Sequence, residues 1–206
     1  MISLTTIQED ALIEICNVGM SKAAKQLSIL LNSHINIHIP KISLLDMQHF
    51  IQNNIFSSIE TLSYVYQTIS EDLLGRAILM FHRAQATLLT QSVIGITPKL
   101  TEKEAKACEQ EAVLEIGNIM ITSCMSAIVN MISLHIKLDT PHYNEHRLIE
   151  VIESQVKDVE KYSQEIILIE TRLESAGKFI SGSLLLMLTK SSIDNLLSGI
   201  NNLLKV

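Results

Sequence analysis

At 206 residues, 47% of them hydrophobic and 18% charged, the chain can bury a sizeable core and lacks the composition of a disordered protein. Sixteen basic against 22 acidic residues leave a formal charge of −6, which argues against a nucleic-acid binder that tracks phosphates with a basic stripe. With no Trp and only 4% aromatic residues, the core must be built from Ile, Leu, Val, Ala and Met.

The first periodic segment opens at Thr6-Ile7-Gln8-Glu9, a capping-box pattern, and predicts a helix running to about Leu31. At 100° per residue, Leu12, Cys16, Gly19, Ala23, Leu27 and Leu30 fall on one side, and Asp10, Glu14, Asn17, Ser21, Lys25 and Ser28 fall nearly opposite. The stretch HINIHIP (34–40) alternates Ile35, Ile37 and Ile39 with polar residues, the period of a half-buried strand, and ends in proline. Strands are predicted at 62–69 and 75–82, with a short helix at 84–95. Thr97-Pro98-Lys99 reads as a junction.

Beyond it the same order returns. Thr101-Glu102-Lys103-Glu104 is a second capping box, opening a helix to about Ile132. Its apolar stripe holds Val113, Gly117, Met120, Cys124, Ala127 and Met131, with Glu111, Glu115, Asn118 and Thr122 opposite. HIKLDTP (135–141) again ends in proline, strands are predicted at 165–172 and 179–189, and a helix at 191–204. The two halves repeat in letters as well: DALIEICNVG (10–19) and EAVLEIGNIM (111–120) superpose with an offset of 101. That offset matches Glu14 with Glu115, Asn17 with Asn118, His34 with His135 and Pro40 with Pro141. By Gly75 and Gly182 it has grown to 107, and the extra six residues are assigned to the polar stretch 142–164. Each half reads as long helix, three strands, short helix. Three strands alone are marginal, so the halves should share one six-stranded sheet in a single α+β domain of two repeats, about 1–97 and 98–206.

Other features read as framework. His142-x-x-x-His146, with Glu145 beside it, has metal-like spacing but lacks a third committed ligand. His34 and His135 begin strands at equivalent places. Cys16, Cys108 and Cys124 have no neighbouring base and read as inert reduced thiols. Gly19 and Gly117 lie on the apolar sides of their helices, where close packing explains them. MISLTTIQED lacks the basic-then-apolar order of a secretory signal, and no apolar run approaches the roughly 20 residues of a bilayer span. A soluble cytoplasmic protein without membrane insertion is expected.

The tandem pattern resembles the CheC family of bacterial chemotaxis phosphatases, whose motif is Asp or Ser, three residues, Glu, two residues, Asn. Asp10-x-x-x-Glu14-x-x-Asn17 meets it in full; Glu111-x-x-x-Glu115-x-x-Asn118 meets it except at the leading position. The resemblance covers nearly the whole chain, and two sites in 206 residues, with no room for a flagellar-switch module after them, favour CheC itself over CheX or FliY. It implies an internally duplicated, pseudo-twofold, antiparallel sheet with the two long helices side by side on one face.

It also implies hydrolysis of the aspartyl-phosphate on a CheY-like response regulator. Asn17 and Asn118 would orient the attacking water, Glu14 and Glu115 would pair with the regulator's active-site Lys, and Asp10 and Glu111 would help dock the partner. No cofactor or metal would be bound by this chain; the divalent ion (Mg) would come with the regulator. A CheD-like protein is a further possible partner, and the rival reading is a non-catalytic adaptor that uses the same helix faces. The first site is expected to be the stronger, because Glu111 adds a long carboxylate four residues before Glu115 at the rim of an acidic partner cleft.

Overall fold

Helix α1 (Thr6–Leu30) begins one residue earlier than the Thr6–Glu9 pattern suggests. Thr5 is the N-cap, accepting from the Gln8 N–H while the Gln8 side chain accepts from the Thr5 N–H. Helix α4 (Glu102–Met131) carries the same reciprocal box on Thr101 and Glu104, as expected. Duplication extends to the exits: Asn32 and Ser133, again 101 apart, both take the left-handed conformation that closes a helix (φ 44° and 57°). The computed structural model describes residues 4–53, 61–94, 101–155, 165–175 and 177–205. The Thr97-Pro98-Lys99 junction lies outside them.

The first half continues with β1 (Ile35–Asp46), α2 (Met47–Asn53), β2 (Thr61–Glu71), β3 (Gly75–His82) and α3 (Arg83–Ile94). The second continues with β4 (Ile136–Leu138), β5 (His142–Arg147), α5 (Leu148–Gln155), β6 (Glu165–Ser175), β7 (Lys178–Leu188) and α6 (Lys190–Leu203). All strand pairs are antiparallel, in the order β1-β6-β7-β3-β2-β4, with β5 also on β2. The halves therefore exchange their first strands. β1 pairs with β6 of the second half, β4 and β5 pair with β2 of the first, and β3 meets β7 at the centre.

The sheet departs from the expected pattern in three places. Pro40 does not end its strand: β1 runs through it to Asp46, because it is an edge strand with a register shift between His38 and Lys41, and a proline is tolerated at an edge or a bulge. Pro141 does interrupt, splitting the equivalent strand into β4 and β5, so the described residues form seven strands where six were read. The extra six residues are not confined to 142–164. Ile35 pairs with Ser175 as Ile136 pairs with Glu71, so β6 follows β2 by 104; Ile69 pairs with Gly75 as Leu173 pairs with Ile180, so β7 follows β3 by 105, and the letter match of Gly75 with Gly182 lies two residues off the structural equivalence.

Two apolar layers sandwich the sheet. On β3, Ala77, Leu79 and Phe81 face the core under α1, α4, α3 and α6, whereas Ile78 and Met80 face a second core under α2 and α5 with Phe50, Leu148, Val151 and Ile152. Burial on both faces explains the unbroken apolar run Leu184–Leu188 in β7. Helix α4 is long and apolar enough to cross a membrane, with a mean hydropathy of 1.7 over its best 18-residue window. That apolarity serves packing: Val113, Ile116, Met120, Ile121, Cys124 and Met125 are buried in the core. Leu30 and Met131, placed by periodicity on the apolar sides, are exposed at the last residues of their helices.

Candidate functional site

Helix geometry places Asp10, Glu14 and Asn17 on one face of α1, at i, i+4 and i+7. Asp10 and Glu14 are exposed; Asn17 is half-buried. Its carboxamide is already engaged. Oδ1 accepts from the Ile39 N–H at 2.7 Å and Nδ2 donates to the Ile39 carbonyl at 3.4 Å. Ile39 lies in the register shift of β1, where the regular ladder to β6 lapses. Three turns along α1, the Ser28 hydroxyl accepts from the Ile35 N–H at 3.0 Å. Part of the polar stripe of α1 thus serves the backbone of an edge strand, a common way of protecting such an edge.

The second copy differs. Glu111 and Glu115 are exposed on α4 and Asn118 is half-buried, but Asn118 does not bond to the backbone of the following strand. Among the described residues, its recorded partner is the Thr122 hydroxyl, which donates to Oδ1 at 3.4 Å. The counterpart of Ile39 is Thr140, and the Thr140 N–H donates instead to Oδ1 of Asp139 at 2.7 Å. The Asp139 carbonyl accepts from Gln67 Nε2 and the Asp139 N–H donates to Thr68. With those groups satisfied locally, the half-buried Asn118 carboxamide is not taken up by the Thr140 backbone and lies one helical turn beyond Glu115.

The six motif residues therefore form two clusters on separate helices, equivalent in position and unlike in state. The contrast rests on Asp139, where the first copy has His38, and on Thr122, where the first copy has Ser21. Ser21 donates to the Asn17 backbone carbonyl at 2.8 Å and not to its side chain. Thr122 was visible as part of the polar stripe. Asp139 carried no signal beyond being a carboxylate just before a threonine and a proline.

His142 and His146 lie on β5, a strand and not a helix, where His142 stacks on Tyr66 and His146 Nδ1 lies 3.0 Å from the Tyr64 hydroxyl. Among the described residues, no group of three or more His, Cys, Asp or Glu is arranged to hold a metal. Near the start of α4, Lys106 reaches Glu145 at 3.1 Å, and the Tyr143 hydroxyl donates to the same carboxylate at 2.7 Å. This network ties α4 to β5. Burial pushes the Tyr143 hydroxyl well above its ordinary range, and the neighbouring carboxylate adds to the shift.

No protein-family model matches the chain, and no curated protein matches it. Solved structures do share the fold. FliY from Thermotoga maritima is 18% identical with a TM-score of 0.72, over 97% of this chain and 98% of that one. The FliM middle domain from H. pylori is 13% identical with a TM-score of 0.61, over 95% and 99%. The chemotaxis protein CheX from Desulfovibrio desulfuricans is 13% identical with a TM-score of 0.50, over 84% and 99%. The likeness runs to FliY and FliM and not to CheC in particular.

Proposed function

With the fold of the CheC/CheX/FliY superfamily as its frame, we propose that this protein is a cytoplasmic phosphatase for the aspartyl-phosphate of a CheY-like response regulator, working through Glu115 and Asn118. One observation carries this reading. Asn118, one turn beyond an exposed Glu115, keeps a carboxamide that the protein's own backbone does not consume. An acyl phosphate needs little covalent help; an in-line water and charge stabilisation supply most of the acceleration. Docked in a regulator's cleft, Glu115 pairs with the regulator's Lys, and Asn118 holds a water against the phosphorus. The water oxygen bonds to phosphorus and the bond to the aspartyl oxygen breaks. That electron pair returns to the carboxylate, the water proton passes to solvent, and inorganic phosphate leaves. The divalent ion is the regulator's own.

The geometry favours the second site over the first, the reverse of the order expected from Asp10 and Glu111. Both polar atoms of the Asn17 carboxamide are held by Ile39, which fixes the side chain against β1 and leaves each atom one further hydrogen-bonding site. That same engagement supports a second reading for α1, in which the exposed Glu14 and Val18 dock a regulator or a CheD-like partner without turning it over. The test is to mix the purified protein with a panel of phosphorylated regulators from the same genome and follow the loss of phosphate. Accelerated loss from at least one regulator is expected. Binding without acceleration would leave only the adaptor reading.

A further inference from the structure

We infer that the cleft between α4 and the β4–β5 edge is a docking ledge for the phosphorylated regulator, seating an apolar part of its rim beside the phosphorylated aspartate. The two halves cover their edge strands differently. Helix α1 lies along β1, where Ile35, Ile37, Ile39 and Ile42 are all buried, none more than 5% exposed. The offset of 101 matches them with Ile136, Leu138, Thr140 and Tyr143. Of these, Ile136, Leu138 and Tyr143 are only partly buried against the helix-side core, and Thr140 is exposed. Helix α4 packs instead over β2 and β3, and reaches β5 through Lys106 and Glu145. Gly117 permits that inward seat: a Cβ there would stand 2.7 Å from Cγ2 of Val65 on β2. The first copy has Cys16 in the same place.

Asn118 borders the cleft that results. Asn17 reaches across to Ile39, so its equivalent lies on the flank of α4 toward the β4–β5 gap. The short turn from α4 into β4 closes one end, and the Lys106–Glu145 pair closes the other. Between them the floor is apolar, while the charged residues beside it, Glu111 and Glu115 on α4 and Asp139 at the gap, are exposed acids. A complementary occupant brings an apolar side chain next to cationic groups. A phosphorylated regulator does so, because its active-site Lys and divalent ion stand beside the acyl phosphate. A phosphoryl group brought to Asn118 from this flank sets the regulator's rim over Leu138 and Thr140.

This docking role rests on the phosphatase reading, and the experiment separates the two. The full chain carrying Thr140→Cys is treated with a thiol reagent, with and without a CheY-like regulator bearing beryllofluoride. Labelling is read peptide by peptide, which sets Cys108 aside. The introduced thiol is expected to react about 10-fold more slowly under the bound regulator. A thiol introduced as Phe179→Cys, on an exposed position of β7 away from the cleft, should keep its rate. In phosphate-release assays Leu138→Ala is expected to raise KM about 3- to 10-fold and leave kcat within about twofold. Phe179→Ala should change neither. Protection of Glu111→Cys without protection of Thr140→Cys overturns the ledge and leaves the phosphatase reading standing, as does an unchanged KM in Leu138→Ala. A regulator that shields Thr140→Cys but loses its phosphate no faster than it does alone keeps the ledge and overturns the phosphatase reading.

Discussion

A Cβ placed on Gly19 would stand 2.6 Å from the carbonyl oxygen of Ser123 and 3.1 Å from the Cα of Cys124. The two long helices therefore meet backbone to backbone at this point, with neither free to retreat without disturbing the core beneath. Gly19→Ala gains roughly 1 kcal/mol of helix propensity, but overpacking against a fixed backbone costs about 1–3 kcal/mol. A lower urea midpoint is expected, with the slope of the transition unchanged. A midpoint equal to that of the unsubstituted protein would show that α1 and α4 separate easily.

The two asparagines should separate stability from activity. Asn17→Ala strands the backbone groups of Ile39 and is expected to cost about 1–3 kcal/mol. Asn118→Ala removes a side chain with one long contact and should shift stability by less than about 0.5 kcal/mol while abolishing stimulated dephosphorylation. Denaturant titrations of the single variants, paired with phosphate-release assays, test both halves. Equal destabilisation by the two would contradict the asymmetry.

Glu145 should make the attachment of α4 sensitive to acid. Burial alone would raise its pKa, but the Tyr143 hydroxyl and the Lys106 ammonium together hold it below the usual 4.5. A carboxyl held low in the folded state adds stability that is fully present above about pH 4.5. That contribution is lost as pH falls through the lower folded value. Because Lys106 is well exposed, the pair is worth under about 1 kcal/mol. Glu145→Gln is expected to flatten the acid limb of the stability curve. A limb as steep as before would assign the acid dependence to other groups.

The thiols should sort by position. Cys16 and Cys124 are fully buried, and the Cys16 thiol is pushed up by its hydrogen bond to Cys124 and by burial. Cys108 is partly exposed on α4. A thiol reagent at neutral pH is expected to label Cys108 alone in the native protein and all three cysteines after unfolding. Native labelling at Cys16 would mean that the interface between α1 and α4 opens on the timescale of the reaction.

The helices were legible because 3.6-residue periodicity and capping boxes are local signals. Even so, Thr5-Thr6-Ile7-Gln8-Glu9 contains two overlapping boxes, and periodicity does not choose between Thr5 with Gln8 and Thr6 with Glu9. Pro40 misled because a proline inside a strand is permitted only at an edge or a bulge, and edge position is a property of the assembled sheet. The helices α2 and α5 were missed because each is short and lacks a clear cap. The paired Glu-x-x-Asn motifs could be read from letters alone. Whether each asparagine is free could not, because that depends on His38 against Asp139, a difference whose meaning lies in backbone geometry at a register shift in β1 and at the gap between β4 and β5.

The exchange of first strands bears on how the chain is made. On β1, Asp46 waits for Glu165 and Ile35 for Ser175, partners synthesised 119 and 140 residues later. At about 5–20 residues per second, that side of β1 emerges from the ribosome and stays without a strand to pair with for roughly 6 to 30 seconds. Two of its amides have nearer partners: Asn17 and Ser28, made just before the strand, hold those of Ile39 and Ile35 in the folded protein. The Asn17 side chain, fixed on Ile39 in the folded protein, is thus a partner close at hand in the chain for a strand whose neighbour is made much later.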